Sequence, residues 1–283
     1  MILLLTVVAM VAFAANSLLA RAALGGSALG DGAIDAASFT AIRLMSGALA
    51  LAVIMAAQGG RRPAGSWGSA LCLFLYAIAF SLAYLRLGAA TGALVLFASV
   101  QASMIGWGVV RRQHPSVGEL AGLAVAFSAF VWLLLPGLQA PDPVGAVLMI
   151  AAGVAWGAYS LRGRHVASAL GDTAGNFARA AVFCVPLVGI GVWLGHASLG
   201  GVGMAVASGV VASGLGYSIW YRAVAGLRPI QAASVQLTVP VIAAMGAVLL
   251  LSEVLTVRLV VAGLCILGGV GVTLVMKGRA VRQ

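Results

Sequence analysis

The sequence predicts an all-α integral membrane protein, with ten transmembrane helices arranged as two inverted five-helix repeats, residues 1–138 and 139–283. Three observations carry this prediction. The chain is 63% hydrophobic and 8% charged over 283 residues, which leaves too little polar surface to solvate a globular fold, so its solvent is lipid. Ten apolar windows each approach the roughly 20 residues that a spanning helix needs. The last five windows echo the first five in order, and an odd number of spans per half inverts the second copy. Long unbroken apolar runs, in place of short alternating ones, exclude a barrel, and a backbone in hydrocarbon must satisfy its own hydrogen bonds.

The first window, 2–23, has no basic stretch ahead of it and an apolar run too long for a signal peptide, so it is read as a mature helix. It contains Asn16. The second, 36–57, carries Arg43 within the membrane, and the third, 69–88, places Tyr76, Phe80 and Tyr84 on one helical face. The fourth, 91–110, holds Gln101, and the fifth is 117–135. The sixth, 144–162, brings Trp156 and Tyr159, with Gly153 and Gly157 at a spacing that lets helices approach closely. The seventh, 174–195, carries Arg179, and the eighth, 200–222, carries Tyr217 and Tyr221. The ninth, 229–251, contains Gln236 and Pro240, four residues apart. Proline removes the helical partner of the Gln236 carbonyl, so a bend with a free carbonyl is expected there. The tenth, 257–276, is studded with Gly263, Gly268, Gly269 and Gly271.

The repeat is visible in the residues. Ala12-Phe13-Ala14-Ala15-Asn16-Ser17-Leu18 matches Ala155-Trp156-Gly157-Ala158-Tyr159-Ser160-Leu161 as small, aromatic, small, small, polar, Ser, Leu. Ala98-Ser99-Val100-Gln101 and Ala233-Ser234-Val235-Gln236 are identical, and the second and seventh windows each carry one arginine. Inverted repeats give two equivalent packings, one open to each side, with a binding site near the midplane between them.

A net charge of +10 is dispersed over short loops, so it reads as topology and not as a nucleic-acid surface. With the N-terminus cytoplasmic, the inner loops and tail carry Arg61, Arg62, Arg111, Arg112, Arg162, Arg164, Arg222, Arg228, Lys277, Arg279 and Arg282. The outer ones carry Arg21, Arg86 and Arg258 with Asp31, Asp35, Asp142 and Glu253. The positive-inside bias predicts a multi-pass protein of the inner (plasma) membrane with both termini cytoplasmic. Cys72, Cys184 and Cys265 lie in apolar windows and read as small core-packing thiols, so no disulfide or metal site is expected.

Intramembrane polar residues are costly and mark function. Arg43 and Arg179 read either as carboxylate-binding or gating groups, through paired guanidinium hydrogen bonds, or as side chains that snorkel to the interface. Gln101 and Gln236, and behind them Asn16, read either as substrate-binding amides or as interhelical hydrogen bonding. Tyr76, Trp156, Tyr159 and Tyr217 sit near mid-span and suit an aromatic wall for a flat substrate, whereas Tyr84 and Tyr221 fall near helix ends and suit the interfacial belt. Asp31, Asp35, Asp142, Asp172 and the three histidines are placed in loops, and Glu119 and Glu253 near helix ends. Without a mid-span titrating group, transport by facilitated diffusion or exchange is expected in place of proton coupling.

The ten-span layout, the duplication, and the stretch from Pro229 through Gln236, Pro240, Ser252-Glu253-Val254-Leu255-Thr256 and Gly263 to Gly271 resemble EamA-type exporters of the drug/metabolite transporter superfamily. The first half departs from that pattern, with Ile105 where the second has Pro240 and the neighbourhood of Arg112 where it has Glu253. The aromatic and polar residues of the core helices are most similar to YddG-type exporters of aromatic amino acids. The resemblance implies a secondary transporter exporting small amphipathic metabolites, with aromatic and other neutral amino acids as the specific substrates and a broad drug or metabolite exporter as the alternative. No cofactor is called for, and the expected partners are a small-molecule substrate and the lipid bilayer, with the chain working as a monomer. No metal-ligand cluster, hydrolase constellation or nucleotide-binding loop lies in the spans, so an enzyme is not expected.

Overall fold

The computed structural model describes residues 1–24, 33–59, 63–87, 89–138, 140–251 and 255–276. The spans of the first half are α1 (Ile2–Leu24), α2 (Ala36–Ala57), α3 (Trp67–Tyr84), α4 (Ala89–Val110) and α5 (Val117–Leu134). The second half begins with α6 (Pro143–Arg162), α7 (Ala169–Phe183) and α8 (Val185–Leu194). It continues through α9 (Leu199–Ala207), a π-helical segment (Ser208–Leu215) and α10 (Gly216–Val224). The last elements are α11 (Pro229–Val235), α12 (Thr238–Leu251) and α13 (Val257–Val275). Nine stretches among the described residues are long and apolar enough to cross a bilayer, and α7 with α8, bent by 48°, makes a tenth if the pair is one span. Asp31, Arg61, Arg62, Glu253, Lys277, Arg279 and Arg282 lie outside the described residues.

Short polar side chains set where the helices begin. Asp35, Ser66, Asp142, Ser168, Ser198 and Thr256 each accept from a backbone N–H three residues on. Ser116 and Glu119 form a reciprocal capping box at the start of α5. The cap at Ser168 starts the seventh span at Ala169, earlier than the apolar window, which begins at residue 174. Asp172, expected in a loop, therefore lies in the first turn of α7, where a carboxylate suits the helix dipole.

Three spans of the second half are interrupted, while α2, α3 and α4 run unbroken. Pro186 follows the break between α7 and α8 at Cys184, and the π-helical segment interrupts the eighth span between α9 and α10. The ninth span breaks at Gln236 and Leu237, upstream of Pro240, as the clash of a proline ring with the carbonyl four residues back requires. The Gln236 carbonyl is not left free, because the Val239 N–H turns back to donate to it at 3.1 Å.

Helix contacts follow a regular scheme. α3 and α4 pack on α6, α10 and α12 pack on α1, α2 packs on α7, and α5 packs on α13. Renumbering each span by five maps these contacts onto one another. Close approach depends on small residues: a Cβ at Gly153 would lie 2.6 Å from the Ser99 Cβ on α4, and one at Gly122 would lie 2.6 Å from the Gly269 carbonyl on α13. Of the three thiols expected in the core, only Cys184 is buried; Cys72 is half-buried and Cys265 is exposed on the outer face.

Candidate functional site

The centre of the bundle is an aromatic cluster with polar groups around it. Phe13 of α1 meets Trp156, Tyr217 and Trp220 edge-on, with ring centroids 5.1, 5.7 and 5.6 Å apart. Trp156 also lies 4.9 Å from Tyr76, 4.7 Å from Tyr217 and 5.7 Å from Tyr159, the last stacked. Each such pair contributes roughly 0.5–1.5 kcal/mol beyond its burial. Four spans thus converge on one indole. A cavity of about 30 Å³ lies there, lined among others by Phe13, Asn16, Tyr76, Trp156, Tyr217 and Gln236.

Polar side chains fix this cluster from two directions. The Trp156 indole N–H donates to Gln236 Oε1 at 2.6 Å, and the Gln236 amide in turn donates to the Ala232 carbonyl at 2.9 Å. Gln101 on α4, in the tetrapeptide identical to that ending at Gln236, donates to the Ala233 carbonyl at 2.9 Å, and its Oε1 is buried without a partner. Asn16 accepts from Ser208 at 2.6 Å, joining α1 to the start of the π-helical segment.

Arg43 is fully buried, with 0% exposure. Its Nε donates to Ser213 Oγ at 2.9 Å, its Nη2 donates to Tyr217 Oη at 2.5 Å, and its guanidinium carbon lies 5.5 Å from the centre of the Tyr76 ring. Nη1 has no hydrogen-bond partner, and no carboxylate lies within ion-pair distance among the described residues. A desolvated cation held only by hydroxyls and π faces carries an uncompensated cost of several kcal/mol. Snorkelling does not describe this side chain.

Arg179, the arginine that the sequence places in the seventh window as it places Arg43 in the second, stands apart from the cluster. It is half-buried, its Nη1 donates to the Ala64 and Gly175 carbonyls at 2.6 and 2.9 Å, and it lies over Trp67. Its company is the loop before α3. Tyr221, expected in the interfacial belt, is buried at 1% exposure and packs on Tyr159 at 4.7 Å. Its hydroxyl donates to the Tyr159 carbonyl at 3.1 Å, which draws it inward from the helix end. Ser208 and Ser213 belong to the site and were missed by sequence reasoning, since serine is too common in helices to stand out.

Hydrogen bonds join the halves at both ends of α2. At one end the segment before α2 pairs with the segment before α9: Ile34 bridges Ala197, Asp35 N–H donates to the His196 carbonyl at 3.0 Å, and His196 N–H donates to Asp35 Oδ2 at 3.1 Å. Burial acts to raise the Asp35 carboxyl, but the donors of Ser38, His196 and Ala37 outweigh it and hold the carboxyl below its ordinary range. At the other end of α2, Gly65 N–H donates to Asp172 Oδ1 at 3.2 Å and Ser66 N–H donates to Asn176 Oδ1 at 2.9 Å. Glu119, fully buried, pairs with Arg228, which ties α5 to α11.

Comparison with known proteins places this architecture. Residues 143–275 match the model of the EamA-like transporter family. The chain is similar, at 50% identity over 288 aligned positions covering 99% of it and 97% of the relative, to the uncharacterized protein PA1977 of Pseudomonas aeruginosa. A solved crystal structure at 18% identity shares the fold, with a TM-score of 0.79 over 99% of each chain. Through its second half, residues 143–275, this all-α chain belongs to the EamA-like transporter family, whose members are membrane transporters of small substrates.

Proposed function

We propose that this protein is a secondary transporter that exports small amphipathic metabolites, specifically aromatic and other neutral amino acids, across the inner (plasma) membrane with both termini cytoplasmic. It works as a monomer, by alternating access between residues 1–138 and 139–283 acting as inverted repeats. The contact scheme that repeats when spans are renumbered by five supports that division. The observation that carries the substrate assignment is Arg43: a buried guanidinium with an unpartnered Nη1 and no carboxylate partner among the described residues, against Tyr76 and Tyr217. A substrate carboxylate supplies the missing counter-charge, and the ring system of Phe13, Tyr76, Trp156 and Tyr217 receives the flat apolar part.

The cavity of about 30 Å³ is far below the roughly 300–1,000 Å³ of ligand pockets. On this reading the filled centre is a form without room for substrate, and loading requires the Phe13–Trp156 contact to part. The helical carboxylates Glu119 and Asp172 sit in first turns and are engaged by Arg228 and Gly65, which supports facilitated diffusion or exchange over proton coupling.

Flux of labelled tryptophan through purified protein in liposomes tests this reading, with unlabelled amino acids and a lipophilic cation as competitors. The expected result is saturable flux, blocked by aromatic amino acids and unmoved by an imposed pH gradient. Block by the cation alone would turn the assignment toward a broad drug or metabolite exporter.

A further inference from the structure

A second cavity, of about 740 Å³, lies outside the aromatic cluster. It is a groove over the outward face of α6, floored by Val154, Ala158 and Leu161 and walled by Cys72 of α3 and Ser103 and Trp107 of α4. Val154 and Trp107 are 48% and 44% exposed, so the groove opens sideways to the bilayer. Its apolar run from Ser103 to Arg111 is about 12 Å long at roughly 1.5 Å per residue, close to the roughly 15 Å of one hydrocarbon leaflet.

The mouth of the groove is basic. Arg111, Arg162, Arg164 and His165 line it, and no acidic residue does. None of these four has a carboxylate within ion-pair distance among the described residues. Arg162 is positioned by Ser69 and Ser66 through Nε and Nη2, and Arg164 by the Leu227 carbonyl through Nε. Among the described residues, no hydrogen bond engages Nη1 of Arg162 or either terminal nitrogen of Arg164. Arg111 lies 4.7 Å over the Trp107 ring, which holds its charge at the interfacial level.

We infer that this groove binds an anionic phospholipid, with one acyl chain along α6 between α3 and α4 and its phosphate among Arg111, Arg162 and Arg164. The three arginines supply charge-assisted hydrogen bonds to phosphate, and the groove's depth and sideways opening fit a lipid that stays within its leaflet. A water-soluble anion would use the mouth and leave the apolar run uncovered.

Tryptophan quenching tests the assignment. The full chain is reconstituted in phosphatidylcholine vesicles containing brominated phosphatidylglycerol or brominated phosphatidylcholine at equal mole fraction. The readout is the fluorescence lost in Trp107→Phe. Brominated phosphatidylglycerol is expected to quench that component more strongly, and Arg111→Gln to reduce the preference by about fivefold. Ala158→Phe, which fills the groove floor, is expected to reduce quenching by both lipids. Should Arg111→Gln fail to fold, Arg164→Gln is read in the same way. Equal quenching by the two lipids in the unaltered protein would overturn the inference, as would a preference indifferent to the arginine variants. Removal of the preference by inorganic phosphate would assign the mouth to soluble anions, and its removal by tryptophan would assign the groove to the transported substrate; either result contradicts a lipid site.

Discussion

Arg43 and Gln236 divide the work at the centre of the molecule. The arginine carries a charge against Tyr76 and Tyr217 with no carboxylate within ion-pair distance among the described residues, and the glutamine holds the Trp156 indole. Gln236→Leu keeps the volume but leaves the Trp156 N–H buried and unpaired, which costs about 1–3 kcal/mol. A lowered melting temperature in detergent together with a raised KM for tryptophan is expected. A variant that melts lower but transports with unchanged KM would make Gln236 structural only. Tyr76, Trp156, Tyr159, Tyr217 and Gln236, which meet in this cluster, stand out in the sequence because intramembrane polar and aromatic side chains are few, whereas Phe13, Trp220 and the two serines do not. What was not legible is their pairing. Arg43 and Arg179 look equivalent on the chain, but only Arg43 reaches the aromatic core, because Arg179 finds two backbone carbonyls near a helix end.

At the scale of the helices, the apolar windows located the spans to within a few residues, and caps set the boundaries that hydropathy does not encode. The break in the ninth span followed from Pro240, but the π-helical segment 208–215 had no sequence signal. It is set by packing against α2, where a Cβ at Gly47 would lie 2.8 Å from the Gly209 carbonyl. The cap of α2 carries a pH-dependent prediction. Asp35 has a folded pKa below its unfolded one, so its contribution is complete above the ordinary carboxylate range and is lost as pH falls through the lowered value. The melting temperature of the protein should therefore exceed that of Asp35→Asn at neutral pH, and the two should converge in acid. A difference that stays constant with pH would remove the carboxylate from the account.

Across the whole molecule, hydrogen bonds join the halves at both ends of α2: Asp35 with His196 at one end, and Gly65 and Ser66 with Asp172 and Asn176 at the other. On the proposed function, the small central cavity is one state of a transport cycle. Among the described residues the interruptions fall in the second half, so on the proposed function the second half is the one expected to bend. The tetrapeptide shared by α4 and the ninth span is the sequence feature on which the proposed duplication rests. The asymmetry of breaks was foreshadowed by Ile105 standing where the second half has Pro240, a difference of one residue that decides whether the backbone carries an N–H.

On the proposed function, Arg43 binds the carboxylate of a small amphipathic substrate. Equilibrium binding of tryptophan and tryptophanamide to the purified protein and to Arg43→Gln tests it most directly. The account predicts that the unaltered protein prefers tryptophan, and that Arg43→Gln weakens tryptophan about tenfold or more while leaving tryptophanamide unchanged. Equal affinity for the two compounds in the unaltered protein, or equal weakening of both by the substitution, would contradict it.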